Sequence, residues 1–162
     1  MIYEILKYPN IALETSTNSV SEITSDIIKK VDSMVETMYQ NKGIGLAANQ
    51  VGLESSILVF DCSEELDEPH CLINPKLIKG NGTVIISEGC LSFPGVNMHV
   101  SRFEKIVVEY MDLNGQVLKR TFKDLESICV QHEIDHLEGK TFFSRVNRRA
   151  RRKAMKEMRR SK

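Results

Sequence analysis

Between Thr24 and Gln40, Ile27, Ile28, Val31, Met34, Val35 and Met38 recur at helical spacing on one face, which predicts an amphipathic helix. Asn41-Lys42-Gly43 supplies its stop. The next stretch, Gly43-Ile44-Gly45-Leu46-Ala47-Ala48-Asn49-Gln50, has the glycines and small residues of a tight backbone path. β-Type runs follow at Ser56 to Asp61, Leu72 to Ile78, Thr83 to Ile86 and, longer, Glu104 to Asp112. The third leads into Ser87-Glu88-Gly89-Cys90, and Asn114-Gly115 marks a hairpin turn with Gln116 to Lys123 returning. Asp124 to Glu138 turns helical, with Gly139 just past its end. From Arg145 a final helix is expected, carrying Val146, Ala150, Ala154 and Met158 on a narrow apolar stripe. No repeat or low-complexity linker intervenes. Helix, then strands and hairpin, then helix predicts an α+β fold rather than an alternating α/β one.

At 162 residues the chain suits one domain with a proper core. It has no apolar run near the ~18 to 20 residues a membrane helix needs, so no membrane partner is expected. The opening MIYEILKYPN lacks the features of a leader or transit segment, which makes a cytoplasmic location the expectation. Net charge is zero, yet from Arg145 to Lys162 there are ten Lys/Arg against one acid. The totals of 22 and 22 therefore leave 12 basic and 21 acidic residues before that point, a body near −9 and a tail near +9. Such a split points the tail toward a polyanionic partner. The cysteines, Cys62, Cys71, Cys90 and Cys129, form no C-x-x-C pair, and a disulfide framework is not expected.

The chemistry concentrates in His132-Glu133-Ile134-Asp135-His136. Two histidines four residues apart share one helical face, so both imidazoles can reach a single cation. That face continues backwards through Leu125, Ile128 and Cys129, which turns the histidines toward the core and a dry, shaped site. Glu133 falls beside the metal rather than on it, as a general base should. The rival reading is a chance match to a short pattern; against it, a buried histidine pair needs a partner. His70 and His99 lie in polar, loop-like stretches and are expected to be exposed. A catalytic site of this kind wants a third protein ligand and an open position. Cys90, after a β-type run and a glycine, and Cys129, one turn from His132, both remain candidates on spacing alone.

Three segments together resemble the peptide deformylase family: GIGLAANQ at 43–50, EGCLS at 88–92 and QHEIDHLEGK at 131–140. The resemblance extends from about Tyr3 to Phe143. It implies that the chain removes the formyl group from formyl-methionyl nascent polypeptides, with residues 1–144 as the catalytic domain and 145–162 as a basic helical extension. It implies a single compact domain, with mixed or antiparallel sheets around the helix bearing H-E-x-x-H. Cys90, His132 and His136 would bind one divalent metal, Fe(II) by family preference, with zinc, nickel or cobalt able to substitute. Glu133 would move the proton, while Gln50 and the Leu91 N–H would receive the oxyanion. Ile44 and Gly45 would pair with the peptide. Gly43, Ile86, Glu88, Gly89, Leu125, Ile128, Cys129 and His132 would border the substrate. Glu88 and Arg102 would form an ion pair behind the metal ligands, because a charged residue there needs a counter-ion. A thiolate ligand lowers the metal's net charge, making it a weaker Lewis acid than three histidines would and placing more weight on Glu133.

The sequence departs from the family pattern near the N-terminus, where Pro9-Asn10-Ile11-Ala12-Leu13-Glu14 lacks an arginine, and at Lys42 and Asn97, where relatives often carry an acid and an arginine. The last two bear on substrate residues beyond methionine. Relatives with a C-terminal helix dock it on ribosomal RNA near the tunnel exit. Arg148, Arg149, Arg151, Arg152, Lys153, Lys156, Arg159 and Arg160 offer a positive surface of that kind. A monomer is expected. Rival classes are a general metallopeptidase, for which the chain is short, and a non-catalytic RNA-binding module with a structural metal.

Overall fold

The hydroxyl of Thr24 accepts the Ile27 N–H and so starts α1, Ser25–Gln40. Its buried side is formed by Ile27, Val31, Ser33, Met34, Thr37 and Met38. Ile28, expected on that side, is half exposed. Thr37 takes a buried place by donating its hydroxyl to the Ser33 carbonyl while accepting the Tyr3 N–H.

In this computed structural model, which describes residues 1–160, seven strands follow. They are β1 Gly45–Ala47, β2 Ile57–Phe60, β3 His70–Asn81, β4 Val84–Glu88, β5 Met98–Arg102, β6 Lys105–Met111 and β7 Val117–Lys123. Five make an antiparallel sheet ordered β1-β2-β3-β6-β7, and β4-β5 forms a separate antiparallel pair. β1 and β4 each keep one unpaired edge. The expected α+β class is the observed one, with three differences of detail. β1 and β5 are strands that the sequence pattern does not announce, since one is only three residues long and the other has a hydrophilic alternation. His99 lies on β5 and His70 opens β3, which starts two residues before the expected Leu72, so both are on strands rather than loops; His99 is exposed as expected, but His70 is only partly so.

α2, Asp124–Leu137, is buried at every position from Ser127 to Leu137. It packs against β1, β2 and β7 over the main core of Met34, Met38, Leu46, Phe60 and Phe122. Its C′ residue Gly139 has φ +70, and a β-carbon there would meet the Glu14 carbonyl at 2.8 Å. The last helix, α3, runs Arg148–Arg160 rather than from Arg145, because Phe142–Arg145 closes a 3-10 turn first and Val146 is extended. Positions 161 and 162 of the expected tail lie outside the described residues. Ala150, Ala154, Met155 and Met158 of α3 seat on a second cluster of Phe93, Val96, Met98, Val100, Phe142 and Phe143. No described helix is long and apolar enough to cross a membrane.

Candidate active site

α2 brings His132 and His136 one turn apart, their Nε2 atoms 3.2 Å from each other. Cys90, just past the end of β4, places its Sγ 3.2 Å from His136 Nε2. These three ligand atoms lie within 4.8 Å of one another, the only such His/Cys/Asp/Glu group among the described residues. Cys129, the other candidate, turns instead toward the Ile44 carbonyl, 3.5 Å away. His132 Nδ1 lies 2.9 Å from Glu88 Oε2. A carboxylate only accepts, so Nδ1 carries the proton and Nε2 presents its lone pair inward.

A buried chain of charges holds this arrangement. Arg102 donates to both oxygens of Glu88, Nε to Oε1 at 2.6 Å and Nη2 to Oε2 at 2.9 Å, and its Nη1 reaches Asp135 Oδ2 at 2.6 Å. Arg145 adds two bonds to Asp135, at 2.6 and 3.0 Å. Burial alone would raise the Glu88 pKa, but Arg102 and His132 outweigh it and bring it down to about 2. Burial likewise opposes a charged His132, yet hydrogen bonds to Cys90 and Glu88 reverse this and carry its pKa well above that of free histidine. His136, with burial and the His132 and Arg102 charges all acting one way, lies well below it. Cys90 and Glu88 thus favour positive charge at His132 Nε2, a place that a divalent cation held by Cys90, His132 and His136 would fill. The soft and borderline donor set suits zinc, iron, nickel or cobalt and not magnesium or calcium.

Glu133 is buried, with Oε2 lacking a hydrogen-bond partner among the described residues. Burial pushes its pKa up to about 7. A β-carbon at Gly45 would come within 2.5 Å of Glu133 Oε1, so β1 approaches the carboxylate as closely as it does only because position 45 is glycine. Gln50 accepts the Ala47 N–H with Oε1 at 2.9 Å, which fixes its amide. Nε2 then points to Ser92 Oγ at 3.2 Å and Cys90 Sγ at 3.6 Å, on the ligand side. Leu6 N–H on the Gln50 carbonyl, Lys7 Nζ on the Leu91 carbonyl and Tyr8 N–H on the Ser92 carbonyl anchor both segments.

A cavity of about 460 Å³ opens over this floor. Every residue expected at the substrate borders it: Gly43, Ile44, Gly45, Ile86, Glu88, Gly89, Leu125, Ile128, Cys129 and His132. So do Gln50, Cys90, Leu91 and Glu133, whereas Arg102 lies behind the ligands. Leu125, half exposed, forms part of the mouth rather than the core. Sequence reasoning did not single out Asp135, Arg145 or Ser92. Asp135 had a signal, being a second acid inside the histidine motif. Arg145 and Ser92 had none, since each acts through a fold-level contact. The eight basic residues from Arg148 to Arg160 are all exposed on α3, away from the cavity.

A family model described as Polypeptide deformylase matches residues 2–152. The "Peptide deformylase" of Aquifex aeolicus is 39% identical over 160 residues, covering 97% of this chain and 95% of that protein. That of Hydrogenovibrio crunogenus is 42% identical over 144 residues, covering 89% and 85%. Among solved structures, peptide deformylase from Ehrlichia chaffeensis in complex with actinonin superposes with TM-score 0.92 at 35% identity, covering 99% of this chain and 98% of that one.

Proposed function

The chain belongs to the polypeptide deformylase family, a hydrolase that uses a divalent metal to remove the formyl group from formyl-methionyl nascent peptides, and we propose the following division of labour among its residues. Cys90, His132 and His136 hold the metal. When bound there, it lowers the pKa of water toward ~7 and so supplies a nucleophile at neutral pH. The Glu133 carboxylate accepts a proton from the attacking water and later delivers it to the departing amine. Gln50 Nε2 and the Leu91 N–H donate to the formyl oxygen as it becomes an oxyanion. A preorganised donor in such a position contributes on the order of 3 kcal/mol. The backbone of Ile44 and Gly45 pairs with the extended peptide, while Ile86, Ile128 and Cys129 take the methionine side chain.

The observation that carries this reading is the unpartnered, buried Glu133 Oε2 beside three converging ligand atoms. An acid so placed, with its pKa brought to about 7 by burial, suits proton transfer. The inhibitor actinonin, bound by the Ehrlichia chaffeensis relative, is expected to occupy this cavity. Fe(II) is the expected resident ion, with zinc, nickel or cobalt as replacements. The protein works as a monomer in the cytoplasm, with residues 1–144 as its catalytic unit, and α3 docks on ribosomal RNA through its exposed arginines and lysines. The deciding experiment pairs metal analysis after anaerobic purification with a formate assay on a formyl-Met peptide. Stoichiometric metal and formate release are expected. Cleavage of internal peptide bonds without formate would defeat this reading.

A further inference from the structure

The mouth of the cavity carries a residue that the reaction itself does not use. Lys42 follows the Asn41 cap of α1, in a left-handed conformation with φ 56. The Lys42 N–H donates to the Tyr39 carbonyl and the Gly43 N–H to the Met38 carbonyl, the paired bonds that close a helix at a C′ residue. Glycine or asparagine is the low-cost occupant of that position. A cation anywhere in the last turn would complement the helix dipole, so the dipole does not explain a lysine at the one strained position. Lys42 is exposed, borders the cavity and forms no ion pair among the described residues.

The other charges of the cavity wall are engaged elsewhere. Glu88 is bound to Arg102, and Glu133 sits on the floor. Asn97, opposite, is neutral and lies over Gly89, where an added β-carbon would meet its Oδ1 at 3.2 Å. Lys7, on the Leu91 carbonyl, does not border the cavity. From Gly45, against Glu133, the chain leads outward through Ile44 and Gly43 to Lys42. Lys42 and Gly43 turn away from the end of α1 and Ile44 bends into β1, which carries this segment between the exposed mouth and the floor. A peptide whose formyl group lies at the floor therefore leaves the cavity past Lys42, with the residues that follow its methionine.

We infer that Lys42 selects nascent chains with an aspartate or glutamate at the second or third residue. This rests on the deformylase reading of the same site. The acidic body as a whole repels such peptides, but that field is screened within about 8 Å at physiological salt, whereas the Lys42 contact is direct. The test compares C-terminally amidated formyl-Met-Glu-Ala and formyl-Met-Ala-Glu with the corresponding lysine peptides and with formyl-Met-Ala-Ala. At low salt, kcat/KM for the glutamate peptides is expected to exceed that for the lysine peptides by about threefold to tenfold, carried by KM, and to converge in about 0.5 M salt. Lys42→Glu should reverse the ratio and Lys42→Gly should flatten it, each variant being referenced to its own alanine peptide. Equal rates in the wild-type protein, or a gap that survives Lys42→Gly, overturns the assignment to Lys42. Absence of formate from every peptide overturns the deformylase reading, and this inference with it.

Discussion

α2 and α3 are of similar length, 14 and 13 residues, and could hardly be more different. From Ser127 onward α2 is buried on all sides, and several of its polar groups have fixed partners: His132 has Glu88, Asp135 has Arg102 and Arg145, and Gln131 has the Phe103 carbonyl. α3 is polar nearly all round and rests on the protein by a stripe one or two side chains wide, of which only Ala154 is fully buried. Reactive groups need exclusion of water and fixed partners; a surface proposed to meet another macromolecule needs the reverse. The two helices are nevertheless joined, because Arg145, just before α3, ties Asp135 of α2.

The largest effects should come from α2 and its partners. Glu133→Gln should cut formate release by about 10²- to 10⁴-fold while metal content, read by elemental analysis, stays. Cys90→Ser should lose both metal and activity, whereas Cys129→Ser should keep metal; equal metal loss in the two would remove Cys90 from its proposed role. Next is Arg102→Met, which leaves the Glu88 and Asp135 carboxylates buried without their shared counter-charge. A stability loss of about 3 to 5 kcal/mol in denaturant titration is expected. A loss below 1 kcal/mol would mean that solvent or Arg145 replaces Arg102.

α3 should respond differently. Removing residues 148 onward is expected to weaken ribosome association, most visibly at low salt, and to leave short-peptide hydrolysis largely intact. The cut belongs after Asn147 rather than at the expected 144/145 boundary, since the shorter protein would also lose Arg145 and its bonds to Asp135. A collapse of turnover in the 1–147 protein would show that α3 supports the Cys90 loop through Phe93. The smallest effect is in acid, at a site near neither helix's chemistry. Asp61 is buried, which by itself would raise its pKa, but bonds from Ser63, Tyr39 and Glu68 bring it below the ordinary value. A depressed carboxyl stabilises the fold above its unfolded pKa, ~3.9, and loses that contribution as pH falls through the folded value. Asp61→Asn should therefore flatten the decline of stability below about pH 4; an unchanged acid limb would assign that decline to other carboxylates.

The contrast also explains what the sequence made legible. α1 and the α3 stripe declared themselves by period, because one side of each faces water. In α2 the all-round burial erases periodicity, and only the histidine spacing marked it as unusual. β1 was missed since three residues carry no alternation, and β5 because its inward Met98, Val100 and Arg102 include a charge. Arg102 faces inward for a reason that lies 33 positions away, at Asp135. Which cysteine accompanies the histidines could not be read from spacing, as that depends on how the β4 end meets α2. The fold brings Cys90 to the pair and turns Cys129 to a carbonyl. The motif resemblance supplied what period and spacing could not.

β1 and β4 face the cavity with backbone edges that no other described strand occupies. Main-chain amides and carbonyls are common to every polypeptide, so a guest lying along those edges is held by what all proteins share. A clamp of the proposed design would grip any newborn chain in the same posture and leave individuality to the few side chains at the opening.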